Sequence, residues 1–163
     1  DRTAKVDFQR KVSKLQAEMG EYSRKFSEVS NKIPYIDEAI KRVEQPIDEI
    51  SKMAWDVKQA IKEVNLKFYG DNIKSRLDIQ SNLTPYSRLG SVAYYQKYST
   101  AAPTKTHMDS YEIAKDEFQP IKLMINELRV KMLNLENRLK EIGAAYTPGR
   151  PKAINWWLKS PVI

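Results

Sequence analysis

The chain has one histidine, His107, and it bounds most of the chemistry the sequence could perform. It follows the stretch Ser-Thr-Ala-Ala-Pro-Thr-Lys-Thr at 99–106, with no nucleophile elbow anywhere to complete a Ser-His-Asp arrangement. Cysteine is absent, so thiolate nucleophiles, thiolate metal ligands and disulfides are excluded. A carboxylate-bridged di-iron centre in a helical bundle needs two Glu-x-x-His motifs, which one histidine cannot supply. Three adjacent acidic pairs, Asp37-Glu38, Asp48-Glu49 and Asp116-Glu117, have the residue types for acid–base work. Consecutive residues on a helix point about 100° apart, so each pair belongs to a solvated surface rather than to one converging site. No glycine-rich phosphate loop is present. The sequence therefore offers no catalytic residue, no metal ligand and no cofactor site.

Two clusters have the composition of binding surfaces. Tyr94, Tyr95, Tyr98 and Tyr111 gather around the 99–106 loop, with Ser99, Thr100, Thr104 and Thr106 in it and Lys97 and Lys105 beside it. Aromatic rings next to hydroxyls form small surfaces suited to carbohydrate or peptide. The plainer expectation is that the loop is a structural corner whose hydroxyls cap the next helix, Thr106 as N-cap with Asp109 three residues on. The second cluster is Trp156 and Trp157 with Arg150, Lys152 and Lys159. Tryptophan and arginine anchor interfaces, but paired tryptophans also pack readily on their own fold.

What must position these groups is written in the apolar spacing. Phe8, Val12, Leu15, Met19, Tyr22, Phe26, Val29 and Ile33 follow a 4-3 repeat; so do Ile36 to Phe68 and Tyr111 to Ile142. Such spacing places the side chains on one stripe of a helix. It predicts long helices over about 3–31, 34–69 and 106–142, and a short one over about 85–98 with Leu89, Val92, Tyr95 and Tyr94 turned inward. Pro46 falls inside the second stripe, which continues through it; a kink near 43–45 is expected rather than a chain reversal. Gly70-Asp71 ends this helix, a long polar connection of Ω-loop type follows, and Thr84-Pro85 is an N-cap and first helical residue. Gly143 closes the last helix. The fold expected is all-α: an antiparallel bundle of three long helices plus one short helix, one domain over 1–163, with an ordered tail at 143–163 packed on it.

The formal net charge of +7 raises the question of nucleic acid. Residues 1–70 carry fourteen basic against twelve acidic side chains, and 107–142 carry six against seven, so the long helices are nearly neutral. Intermixed signs describe solvated faces with i,i+4 pairs, whereas a phosphate-tracking stripe is single-signed. No apolar run approaches the roughly 20 residues of a membrane span. The chain opens at Asp1 with no methionine or leader, which suggests a processed product or a piece of something longer.

The stretch from Tyr98 to Phe118, with Ser99-Thr100-Ala101-Ala102-Pro103-Thr104-Lys105-Thr106 followed by Tyr111 and Ala114 to Phe118, is distinctive. So is Gly143-Ala144-Ala145-Tyr146-Thr147-Pro148-Gly149-Arg150. Together with the Gly70-Asp71 pair they resemble the C-terminal helical region of bacterial sortilin/VPS10-like proteins built from BNR (Asp-box) repeat β-propellers, often labelled glycosyl hydrolases. The resemblance spans about residues 60–150. At 82–85, Asn-Leu-Thr-Pro only loosely echoes the family's loop, and Tyr146 stands where the family has tryptophan. It implies an exported protein (periplasmic, cell-surface or secreted) and a non-catalytic accessory module, with the propeller domain of the same protein or a second copy as partner. Any hydrolase activity would belong to a propeller outside this chain. Two other readings stay open: a basic coiled-coil binder of nucleic acid or an anionic surface, and part of a glycoside-processing enzyme whose catalytic residues lie elsewhere.

Overall fold

A computed structural model describes residues 2–43, 47–71, 74 and 82–144. They form five helices: α1 (Arg2–Ser30), α2 (Ile33–Lys41), α3 (Asp48–Tyr69), α4 (Pro85–Tyr98) and α5 (Lys105–Glu141), with no strand among the described residues. The fold is the all-α bundle that the 4-3 spacing predicts. The tail from residue 145 onward lies outside the described residues.

Contacts between helices fix their directions. Phe8 meets Tyr111, Tyr22 meets Phe118, Glu18 pairs with Lys122 and Lys32 with Glu136, so α1 and α5 rise together. Glu49 pairs with Arg138 near one end and Phe68 stacks on Phe118 near the other, so α3 runs down against α5. The three long helices are thus up, down and up. Almost every stripe residue is inside: Val12, Met19, Val57, Phe68, Ala114, Phe118, Ile125, Leu128 and Leu139 are among those at most 2% exposed. Burial of this apolar surface is the main force holding the helices together.

The expected kink at Pro46 is corrected. Residues 44–46 are not described, but Lys58 Nζ lies 2.6 Å from Asp37 Oδ1. A continuous helix would separate residues 37 and 58 by about 31 Å along its axis. α2 and α3 therefore lie side by side as separate helices, and α3 restarts at Asp48 after an extended Ile47. The apolar spacing persisted because both segments bury a stripe, not because one helix carries both.

α4 continues the column of α3. Tyr86, in its first turn, packs on Phe68 and Tyr69 at the end of α3, with ring centroids 5.6 and 5.2 Å away. Gly70 ends α3 with φ +92°, a value that favours glycine. A Cβ built there would lie 3.1 Å from the Thr84 methyl, so the two ends of the 71–83 connection meet. Pro120 lies within α5, which continues through it with the proline on the solvent side. Gly143 (φ +75°) and Ala144 complete a C-terminal turn in which the Gly143 N–H bonds the Lys140 carbonyl and the Ala144 N–H the Leu139 carbonyl.

Candidate functional site

The tyrosine cluster is built at the corner where α4 hands over to α5. α4 starts at the Thr84 N-cap that its Thr84-Pro85 sequence predicts, and Ser87 completes a capping box: Thr84 Oγ1 accepts from the Ser87 N–H at 3.2 Å, and Ser87 Oγ accepts from the Thr84 N–H at 3.0 Å. The helix buries Pro85, Leu89, Val92 and Gln96. That register turns Tyr94 and Tyr98, four residues apart, to the outside. They are 69% and 65% exposed, with ring centroids 4.7 Å apart. Lys97 Nζ sits 5.3 Å from the Tyr98 ring centroid, within cation–π range.

Tyr94 was expected to face inward; instead Gln96 takes the buried place. Gln96 is 5% exposed and neither atom of its side-chain amide has a hydrogen-bond partner. No apolar period predicts such a residue. Tyr95 is half-buried and lies 3.9 Å from the His107 ring. Tyr111 does not join the surface: it is 8% exposed and packs edge-on against Phe8 in the core. It belongs to the α5 stripe, and its partner lies on the first turns of α1.

α1 secures the corner from the other side. Lys5 Nζ donates to the Ser99 carbonyl at 3.0 Å and Gln9 Nε2 to the Gln96 carbonyl at 3.3 Å, satisfying oxygens that the end of α4 leaves open. Ser99 Oγ accepts from the Ala101 N–H. Thr100 and Thr106 are exposed. The cap of α5 is Thr104, not Thr106: Thr104 Oγ1 accepts from the His107 N–H at 3.3 Å, and His107 Nδ1 lies 3.4 Å from the Thr104 N–H and 2.8 Å from its Oγ1. His107 fills the place of the glutamate of a standard capping box. The lone histidine is thus engaged in closing a helix end.

Two shallow grooves flank the outer face of α4. One, about 530 Å3, runs toward α5 past Ser87, Ser91, Tyr95, His107 and Ser110. The other, about 450 Å3, runs toward α1 past Gln9, Ser13, Gln16 and Tyr94. Gly90 borders both, with open space where a Cβ would stand. The lining is mainly amide, hydroxyl and aromatic, with Arg88 in the first groove and Lys97 in the second. Among the described residues no group of three or more His, Cys, Asp or Glu side chains is arranged to hold a metal ion. The acidic pairs serve the bundle instead: Asp37, Glu49 and Glu117 each pair with a cation on another helix. Arg150, Trp156 and Trp157 lie outside the described residues.

No protein-family model, curated protein or solved structure matches this chain.

A groove larger than the two flanking α4 lies elsewhere among the described residues, where the 4-3 apolar spacing gives no sign of it. About 1140 Å3 in volume, it opens between the end of α1, the start of α2 and the middle of α5. Its signal in the sequence is the apolar pair Val130 and Leu133 on α5, lying off the predicted stripe. None of the described helices is long and apolar enough to cross a membrane.

Proposed function

We propose that this chain is a non-catalytic structural and interaction module. The observation that carries the reading is the Tyr94–Tyr98 pair, two rings in tilted contact held in solvent on a helix whose own core needs are met by other residues. Large rigid aromatics with a polar tip are the residue type that interfaces use as anchors. The helix presenting them is fixed at both ends, by the Thr84 cap and by the Lys5 and Gln9 hydrogen bonds. A rigid platform loses little entropy on binding.

The partner follows from the resemblance of 98–118 and 143–150 to the helical region of BNR-repeat propeller proteins. On that reading the module is accessory to an exported bacterial propeller and docks or orients it, with Tyr94 and Tyr98 at the contact. The test is to express the propeller portion of the gene product separately and measure its binding to this chain by calorimetry. A complex that Tyr94→Ala with Tyr98→Ala weakens by about thirtyfold or more, the effect of a hot spot worth at least 2 kcal/mol, supports the assignment. Undiminished binding by the double variant moves the contact off α4. A gene product without propeller repeats ends the accessory reading.

A further inference from the structure

The groove between α1, α2 and α5 presents apolar surface to solvent. Val130 and Leu133 on its wall are 58% and 55% exposed, beside Val29, Met132 and Pro34. The same chain carries a further apolar element in its sequence, Trp156-Trp157-Leu158, beyond the last described residue. Two tryptophans present about 300–500 Å2 of surface that water disfavours. We propose that Trp156-Trp157-Leu158 occupies this groove in cis, so that the chain's own C-terminal segment covers Val130 and Leu133 on α5.

Three observations support this occupant over others. The first is direction. Gly143 at φ +75° and the bond from the Ala144 N–H to the Leu139 carbonyl end α5 in a left-handed C-terminal turn, so the chain leaves the helix axis at that point. The second is reach. Leu133 lies eleven residues before Ala144, about 16 Å back along the α5 axis. The eleven residues from 145 to 155 span up to roughly 36 Å when extended, leaving slack for the Thr147-Pro148-Gly149 turn. The third is concentration. A segment tethered by so short a linker is present at its target at about millimolar effective concentration. A second copy, at micromolar protein, competes at a large disadvantage.

The chain has no cysteine, which makes the test direct. Leu133→Cys combined with Leu158→Cys in the full chain is expected to form an intramolecular disulfide on mild oxidation, seen as faster migration on a non-reducing gel and a two-dalton loss of mass. Leu66→Cys with Leu158→Cys is the control, because Leu66 is equally exposed but lies on α3. Equal yields from the two pairs overturn the proposal, and so do disulfide-linked dimers from the first pair, which assign the groove to a second copy. An independent reading uses Trp55→Phe, leaving only the two tail tryptophans to fluoresce. Their emission is expected to be blue-shifted and to move to the red on adding Val130→Asp, with helicity retained by circular dichroism. Emission that is already that of solvated tryptophan before the second substitution also overturns the proposal.

Discussion

Tyrosines do opposite things at the two ends of α4. At its start, Tyr86 closes over Phe68 and Tyr69, with Phe118 stacked beneath at 5.6 Å, and Tyr69 shares a 2.6 Å hydrogen bond with Ser23. At its end, Tyr94 and Tyr98 pair with each other and with nothing in the core. The residue type is the same; the difference is register relative to the neighbouring column. Tyr86 stands where α3 ends and α4 takes over, so its ring packs over that junction on Phe68 and Tyr69 while about half of the residue stays exposed. Tyr94 and Tyr98 stand on the side of α4 that faces away from both α1 and α5. An aromatic at the junction is therefore a packing element, and an aromatic at the corner is available for recognition.

The contrast is broken most severely at the junction. Phe118→Ala empties a fully buried position stacked on Phe68, and a loss of about 3–5 kcal/mol in unfolding free energy is expected by chemical denaturation. The next effect has the opposite sign. Gln96→Met keeps the volume but removes a buried amide with no partners, and a gain of about 1–3 kcal/mol is expected in the same assay. An unchanged midpoint would mean that the amide is satisfied by water.

A third experiment separates the regions by pH. Burial raises the Tyr69 pKa above the ordinary value near 10, the Ser23 hydrogen bond opposing it more weakly. Its neutral form is thus favoured by the fold. The associated stability is complete below about pH 10 and disappears as pH rises through the higher folded pKa. Absorbance titration should show a late tyrosinate component, to which Tyr111 also contributes because burial raises its pKa too, and Tyr69→Phe should reduce that component together with part of the alkaline loss of stability. The smallest effect is at the corner: Tyr94→Ala with Tyr98→Ala should shift stability by no more than about 0.5 kcal/mol per site. A larger loss would make the pair structural and withdraw it as a recognition surface.

The bundle was legible because a 4-3 repeat has only one solution in a helix, and Thr84, Pro85, Gly70 and Gly143 mark ends by chemistry that acts within a few residues. The break between α2 and α3 was not legible. Two consecutive helices that both bury a stripe produce the same spacing as one, and only the Asp37–Lys58 contact separates the cases. At the site the pattern failed for a related reason. Tyr94 and Gln96 are two residues apart on a short helix packed against both α1 and α5, and which one is buried depends on how those helices sit around it. Tyr111 looked like a neighbour of the loop because it is near in sequence, whereas its partner Phe8 is more than a hundred residues away. Thr104 and Thr106 are equally able caps; helix geometry chose the one that His107 could answer.

The meeting of Gly70 and Thr84 gives the column shared by α3 and α4 an unusual tolerance. Because the chain leaves and rejoins it at one point, the helices on either side are held by their own packing and not by the length of chain between them. Closing a loop twice as long costs only about 0.6 kcal/mol more. The column is in effect a rod with a port in its side, through which sequence can be added or removed without altering the spacing of the bundle.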